Sequence, residues 1–138
     1  MSNILKIEPN IIKFKAKNNY GDWVFGLPCF NEVNELCIQE ESTHQLHVIN
    51  GITLSQLIRT DTVDENGNPR DLYKNDIVGG LYETGNPFAY VEWHASESNF
   101  VLHDQDDDLC HITENILEWI FICGNVFDNP ELIDPSLN

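Results

Sequence analysis

The stretch DENGNPRDLYKNDIV, Asp64 to Val78, sets an Asn-Gly pair and a Lys-Asn-Asp triplet on either side of a short apolar run. Two readings compete: a carboxylate-rich binding loop, or punctuation between strands. Asn66-Gly67 is the dipeptide preferred by primed hairpin turns, whose two central residues both need positive φ. Leu72 and Tyr73 then read as the returning apolar segment, and Asn75-Asp76 as a corner before a strand that starts at Ile77. In this reading the acids separate strands and hold no ligand.

Upstream, Asn10 to Lys17 (NIIKFKAK) alternates Ile12, Phe14 and Ala16 with Lys13, Lys15 and Lys17, the period of a strand with one buried face. Three lysines on the other face predict a sheet edge, because they discourage further pairing. Asp22 to Leu27 (DWVFGL), bounded by Gly21 and Pro28, predicts a second strand. From Cys29 to Ile49 the pattern is compatible with a helix starting at Asn31, with Val33, Leu36 and Cys37 on one stripe, or with a hairpin of ELCIQE and QLHVIN turning at ESTH. The two-residue apolar spacing of QLHVI favours the hairpin. GITLSQLI, from Gly51, follows as another extended run.

Downstream, Ala89–His94 (AYVEWH) and Asn99–Asp104 (NFVLHD) are joined by ASES, a connection of hairpin length. Val91 and Trp93 share one face of the first strand, Phe100 and Leu102 one face of the second. Thr113 is placed to cap a helical turn over Asn115–Trp119. Glu118 to Phe127 (EWIFICGNVF) is apolar on both faces and predicts a central strand, with Gly124 marking a bulge or a close backbone approach. The tail DNPELIDPSLN, with two prolines, predicts little order over its last residues.

The chain's 138 residues are about one domain's worth, and 41% hydrophobic content with three Trp and seven Phe supplies a packed core. No run approaches the roughly 18 apolar residues of a membrane span. MSNILKIEPN has no long apolar segment with a small-residue cleavage site, so the expectation is a cytoplasmic protein. Cys29, Cys37, Cys110 and Cys123 lie among apolar neighbours without C-x-x-C spacing, which favours buried free thiols over disulfides. Seven basic against 23 acidic residues give −16, a charge that repels nucleic acid and anionic membrane. Its distribution is uneven. Residues 1–17 carry four lysines and one acid, the remainder three bases and 22 acids.

The acidic run Asp104–Asp108 (DQDDD) invites a calcium reading, but an EF-hand register puts Leu109 where Gly is needed and Asn115 where a bidentate Glu is needed. His44, His47, Cys110 and His111 are metal-ligand types whose spacing matches no zinc pattern. His94 and His103, at ends of the predicted hairpin strands, read as rim residues. There is no G-x-S-x-G and no glycine loop ending in Lys-Ser/Thr, and GGLYETG lacks a base to meet a phosphate. No catalytic, cofactor-binding or metal residue is assigned, no cofactor is expected, and the chain does not read as an enzyme. Trp23, Phe25, Tyr90, Trp93, Trp119 and Phe127 either pack in the core, the commoner fate, or line a peptide groove.

Taken in order, GDWVFG, LIRTDTVDENGNPRDLYKNDIV, AYVEWH with NFVL, and FICGNVFDNPEL resemble the YopX family of phage and prophage proteins, from about Trp23 to Leu132. Trp23 and Gly26 match the W-V-x-G element, and Asn66 and Gly67 the turn. Asp76 matches the strand-entry Asp, Trp93 the V-E-W tryptophan, and Gly124, Asn125, Asn129 and Pro130 the closing signature. The resemblance implies a mainly β (α+β) fold, with a small N-terminal α+β oligomerisation part over 1–57 and a C-terminal SH3-like β-barrel with tail over 58–138. It also implies a homo-oligomer without catalytic residues. One departure is Asn75, where the family has Gly; a turn there needs positive φ, which Asn tolerates better than other side chains. Two function classes follow: a self-assembling, non-catalytic accessory protein that binds a protein partner, and an acidic DNA mimic that inhibits a nucleic-acid-binding enzyme.

Overall fold

The computed structural model describes residues 13–81, 87–104, 106, 109–134 and 136. The fold is mainly β, with eleven strands among these residues, and the chain divides into two units between Gln56 and Leu57.

In the first unit the alternating lysine segment forms β1 (Phe14–Lys17), antiparallel to β2 (Trp23–Phe30) with Phe14 opposite Gly26 and Lys17 opposite Trp23. Residues 10–12 of the expected strand lie outside the described residues. The expected edge is corrected: Phe14 and Lys15 also pair with Gln56 and Ser55 at the start of β5 (Ser55–Arg59), so β1 is an internal strand. Its lysines do not keep it at an edge, because the rings of β2 receive them.

β2 runs through Pro28, where a boundary was expected. The Asn31 N–H donates to the Glu35 carbonyl at 3.0 Å. By the two-residue alternation of an antiparallel ladder, Cys29 and Leu27 then bond to β3 (Leu36–Gln39) and Pro28, which has no N–H, does not need to. β3 and β4 (Leu46–Val48) make the hairpin over 29–49, with Ile38 opposite His47. The run from Gly51 begins as a 3-10 turn (Gly51–Thr53) capped by the Asn50 side chain, and extends only from Ser55. The described elements of this unit are strands and that turn. Ala16, Val24, Ile38 and Ile49 form its core, with Phe14, Leu36 and Leu54 against them.

At Gly26 the Gln39 carbonyl oxygen occupies the space where a Cβ would be, so any side chain must push β2 and β3 apart. Gly67, at φ +81°, has open space around that position. Gly26→Ala is therefore expected to lose roughly 2–4 kcal/mol, and Gly67→Ala only about 1 kcal/mol from left-handed backbone strain. Urea unfolding of the two variants checks the difference.

In the second unit the end of β5 pairs with β6 (Leu72–Tyr73) through Leu57–Tyr73 and Arg59–Leu72. Between them lies the turn of the opening stretch, and its type differs from the primed hairpin. The Gly67 N–H donates to the Asp64 carbonyl and the Asp64 N–H to the Asn68 carbonyl. Gly67 has positive φ and Asn66 does not. This is a three-residue loop, a type I turn followed by a left-handed glycine. The Asp64 carboxylate drives the choice by accepting from the backbone N–H groups of Asn66 and Asn68 (2.9 and 3.0 Å).

The corner that follows is the one the sequence suggests. Asn75 has φ 73° and β7 spans Asp76–Gly79. β7, β8 (Phe88–His94), β9 (Asn99–Asp104) and β10 (Leu109–His111) form a meander. Thr113 then caps α1 (Glu114–Leu117), accepting from the Ile116 N–H. β11 (Phe121–Asn125) returns to pair with β7. The order β10-β9-β8-β7-β11 is open. β11, expected to be central, therefore ends the order; Val63 and Asp64 lie along it instead, with the Ile122 N–H donating to the Val63 carbonyl at 2.9 Å. The register shifts between Ile122 and Gly124 as a bulge would, and Asn129 Oδ1 approaches Gly124 closely. The tail forms a 3-10 turn at Pro130–Leu132; Pro135, Leu137 and Asn138 lie outside the described residues. Leu72, Val78, Val91, Leu102, Ile120 and Ile122 lead the core.

Asp76 is 1% exposed, and its Oδ2 accepts from the Tyr73 N–H at 2.8 Å. Asp76→Ala leaves that buried donor without its carboxylate and is expected to lose about 2–3 kcal/mol, with Asp76→Asn losing less because it keeps an oxygen. Asn75→Gly is expected to be near neutral where Asn75→Ala costs about 1 kcal/mol. Chemical denaturation reads all four.

Candidate functional site

Two side-chain groups, one in each unit, carry the chemistry of the described residues. In the first unit, the register places Lys15 opposite Phe25 and Lys17 opposite Trp23. Lys13 Nζ stands 5.2 Å from the Phe25 centroid, Lys15 Nζ 4.6 Å and Lys17 Nζ 5.5 Å from that of Trp23. Each such contact contributes about 0.5–2 kcal/mol, more where water is excluded. Lys15 is buried. Beside them Phe25, Leu27 and Leu46 are 43%, 50% and 45% exposed, with Leu27 and Leu46 flanking Gln39 across three strands. The result is a face of cations, rings and uncovered aliphatic carbon.

In the second unit, Tyr90 is opposite His103. Their rings stack at 5.1 Å and 18°. His103 Nδ1 is 2.5 Å from Glu92 Oε2 and 3.2 Å from the Tyr90 hydroxyl. A carboxylate only accepts, so Nδ1 carries the proton. His103, half-buried and one residue before the end of β9, is tied to β8 by these contacts. The signal was available: counting outward from the four-residue ASES connection, with His94 opposite Asn99, puts Tyr90 against His103.

The remaining candidates are dispersed. His47 Nε2 meets Glu40 Oε1 at 2.8 Å, and His111 lies 3.4 Å from both Glu97 and Asn99. Among the described residues no three His, Cys, Asp or Glu side chains are grouped to hold a metal. In the calcium stretch Asp104 is buried and accepts from the Asp106 N–H; Gln105, Asp107 and Asp108 lie outside the described residues, as do residues 82–86 of the glycine stretch. Of the six aromatics, Phe25, Trp93 and Trp119 are exposed. Trp93 meets Phe100 edge to face at 5.0 Å, and the two cores are built of aliphatic side chains. All four cysteines are thiols outside any disulfide, with Cys37 buried and the other three half-buried. Burial pushes the Cys123 thiol up to about 11, and Glu65 adds to it. The Tyr73 phenol is raised above its ordinary 10.0 by burial first, then by Asp71 and Asp76. No helix among the described residues is long and apolar enough to cross a membrane.

No protein-family model matches the chain and no curated protein matches it.

The Glu40 carboxyl is held below its ordinary 4.5 by the Thr43 hydroxyl (2.7 Å) and then by His47. A carboxyl lowered in the folded state stabilises it fully above the unfolded pKa and loses that contribution as pH falls through the folded one. The gap in thermal stability between wild type and Glu40→Gln is therefore expected to be present above pH 4.5 and to close as the pH falls below it. Melting curves across that range check it.

Proposed function

We propose that this chain is a non-catalytic accessory protein of phage or prophage type that assembles with copies of itself and binds a protein partner. The observation that carries the reading is the face of Lys13, Lys15, Lys17, Trp23 and Phe25 with exposed Leu27 and Leu46, in a chain whose residues 57–138 hold three bases against 17 acids. A second copy supplies the complementary charge, and the uncovered apolar side chains supply area to bury. The resemblance to the YopX family over Trp23–Leu132 supports the same reading. So does the positive φ of Asn75 at the family's glycine position.

The finer architecture belongs to the proposal. An SH3-like barrel over 58–138 is supported by the meander β7 to β10 followed by a helical turn and a closing strand that returns to β7. The α+β part over 1–57 draws no support from the described residues, whose elements there are strands and a 3-10 turn. Cytoplasmic residence is part of the same proposal.

Light scattering at low and high salt tests assembly. The expected result is an oligomer at about 50 mM salt that dissociates toward 1 M as screening shortens the reach of the charges. A monomer at both concentrations overturns self-assembly. The acidic surplus of residues 57–138 also favours a second reading, a DNA mimic occupying the site of a nucleic-acid-binding enzyme. Capture from a host lysate at moderate salt separates the two: recovery of such an enzyme, displaced by duplex DNA, supports mimicry, and its absence removes it.

A further inference from the structure

Cys29 on β2 and Cys37 on β3 are directly opposite in the antiparallel register. Cross-strand partners project from the same face of a sheet. The Asn31–Glu35 backbone bond fixes the parity of this ladder, making Cys29 and Cys37 a hydrogen-bonded pair, for which Cα atoms are about 5.5 Å apart. That Cα separation is within the roughly 4.4–6.8 Å that a disulfide spans, while the Cβ atoms of such a pair stand about 5.5 Å apart and must close by about 1 Å to form the bond, which makes it a strained and readily reduced one. The two thiols differ in access: Cys29 is half-buried and Cys37 is fully buried, with its S–H donating to the Glu35 carbonyl at 3.4 Å.

We infer that Cys29 and Cys37 form a peroxide-sensitive thiol pair, in which Cys29 reacts with a hydroperoxide and Cys37 resolves the product into a cross-strand disulfide. In the first step the Cys29 thiolate attacks one oxygen of the peroxide; an S–O bond forms, the O–O bond breaks, and the other oxygen leaves as hydroxide, which is protonated to water, giving a sulfenic acid. In the second step Cys37 sulfur attacks the Cys29 sulfur, the S–O bond breaks, and a second water departs with the Cys37 proton. Two thiols and one peroxide become one disulfide and two waters. Access assigns the roles. Cys37 cannot meet the oxidant from solvent, and burial followed by the neighbouring Cys29 and Glu35 keeps its thiol protonated to higher pH. A dithiol reverses the bond by exchange, becoming oxidised itself.

The test uses the folded full chain with a small excess of hydrogen peroxide, followed by alkylation in denaturant. The expected result is loss of two of the four thiols, recovery of a Cys29–Cys37 linked peptide by non-reducing mass mapping, and return of both thiols with dithiothreitol. Cys29→Ser should keep its remaining thiols under the same exposure. Cys37→Ser should stop at a Cys29 sulfenic acid that dimedone traps. Retention of all four thiols in the wild type overturns the inference, as does linkage through Cys110 or Cys123. Equal thiol loss in Cys29→Ser overturns it too. The wild-type map and Cys29→Ser decide the matter even where loss of the buried Cys37 prevents folding.

Discussion

At the corner Tyr73–Asp76 one backbone conformation serves four strands. Asn75 in the left-handed region donates its N–H to the Val91 carbonyl at 2.8 Å and accepts from the Val126 N–H at 2.9 Å. Beside it the buried Asp76 carboxylate holds the Tyr73 N–H. β6 ends, β7 begins, and β8 and the residue after β11 are bonded to the same residue. Buried backbone groups must be satisfied, so this arrangement is possible only with a residue at position 75 that accepts positive φ. The core side chains of β7 and β8, Val78 and Val91, pack from strands whose start this corner defines.

The first unit is governed by a different constraint, the need to place three lysines next to a strand with neighbours on both sides. Aromatic residues on β2 meet it, and Lys15 is buried as a consequence. Long lysine stems covering ring surface reduce the exposed apolar area, yet Phe25, Leu27 and Leu46 remain uncovered. An apolar, cationic face in a chain of net −16 concentrates its interaction potential there, and the proposed assembly rests on that contrast. The cysteine pair lies on the same β2–β3 hairpin, whose register Pro28 tolerates and Gly26 permits by leaving room for the Gln39 carbonyl.

Signals that act within a few residues were legible. Thr113 caps a helical turn because its hydroxyl reaches an N–H three residues on. Gly124 marks a bulge, and ASES joins two strands whose alternation is evident. The Asn66-Gly67 turn was misread in type although not in place, because the Asp64 carboxylate two residues earlier offers the backbone a better set of bonds than a primed turn does. The partners of His103 are on the adjacent strand, and the sequence reaches Glu92 and Tyr90 only by counting the register outward from ASES.

By itself the sequence determined the strand-rich character, the corner at Asn75-Asp76, the hairpins and the imbalance of charge, since each follows from local backbone preference, side-chain period or a simple count. Which strands are internal was decided by tertiary structure. β1 looked like an edge and is flanked by β2 and β5, while β11 looked central and ends its sheet order. Edge or centre depends on what a distant segment supplies: rings at Trp23 and Phe25 that receive lysines, or Val63 and Asp64 that lie along Ile122. The opposition of Cys29 and Cys37 has the same origin, for it exists only in the register of β2 against β3.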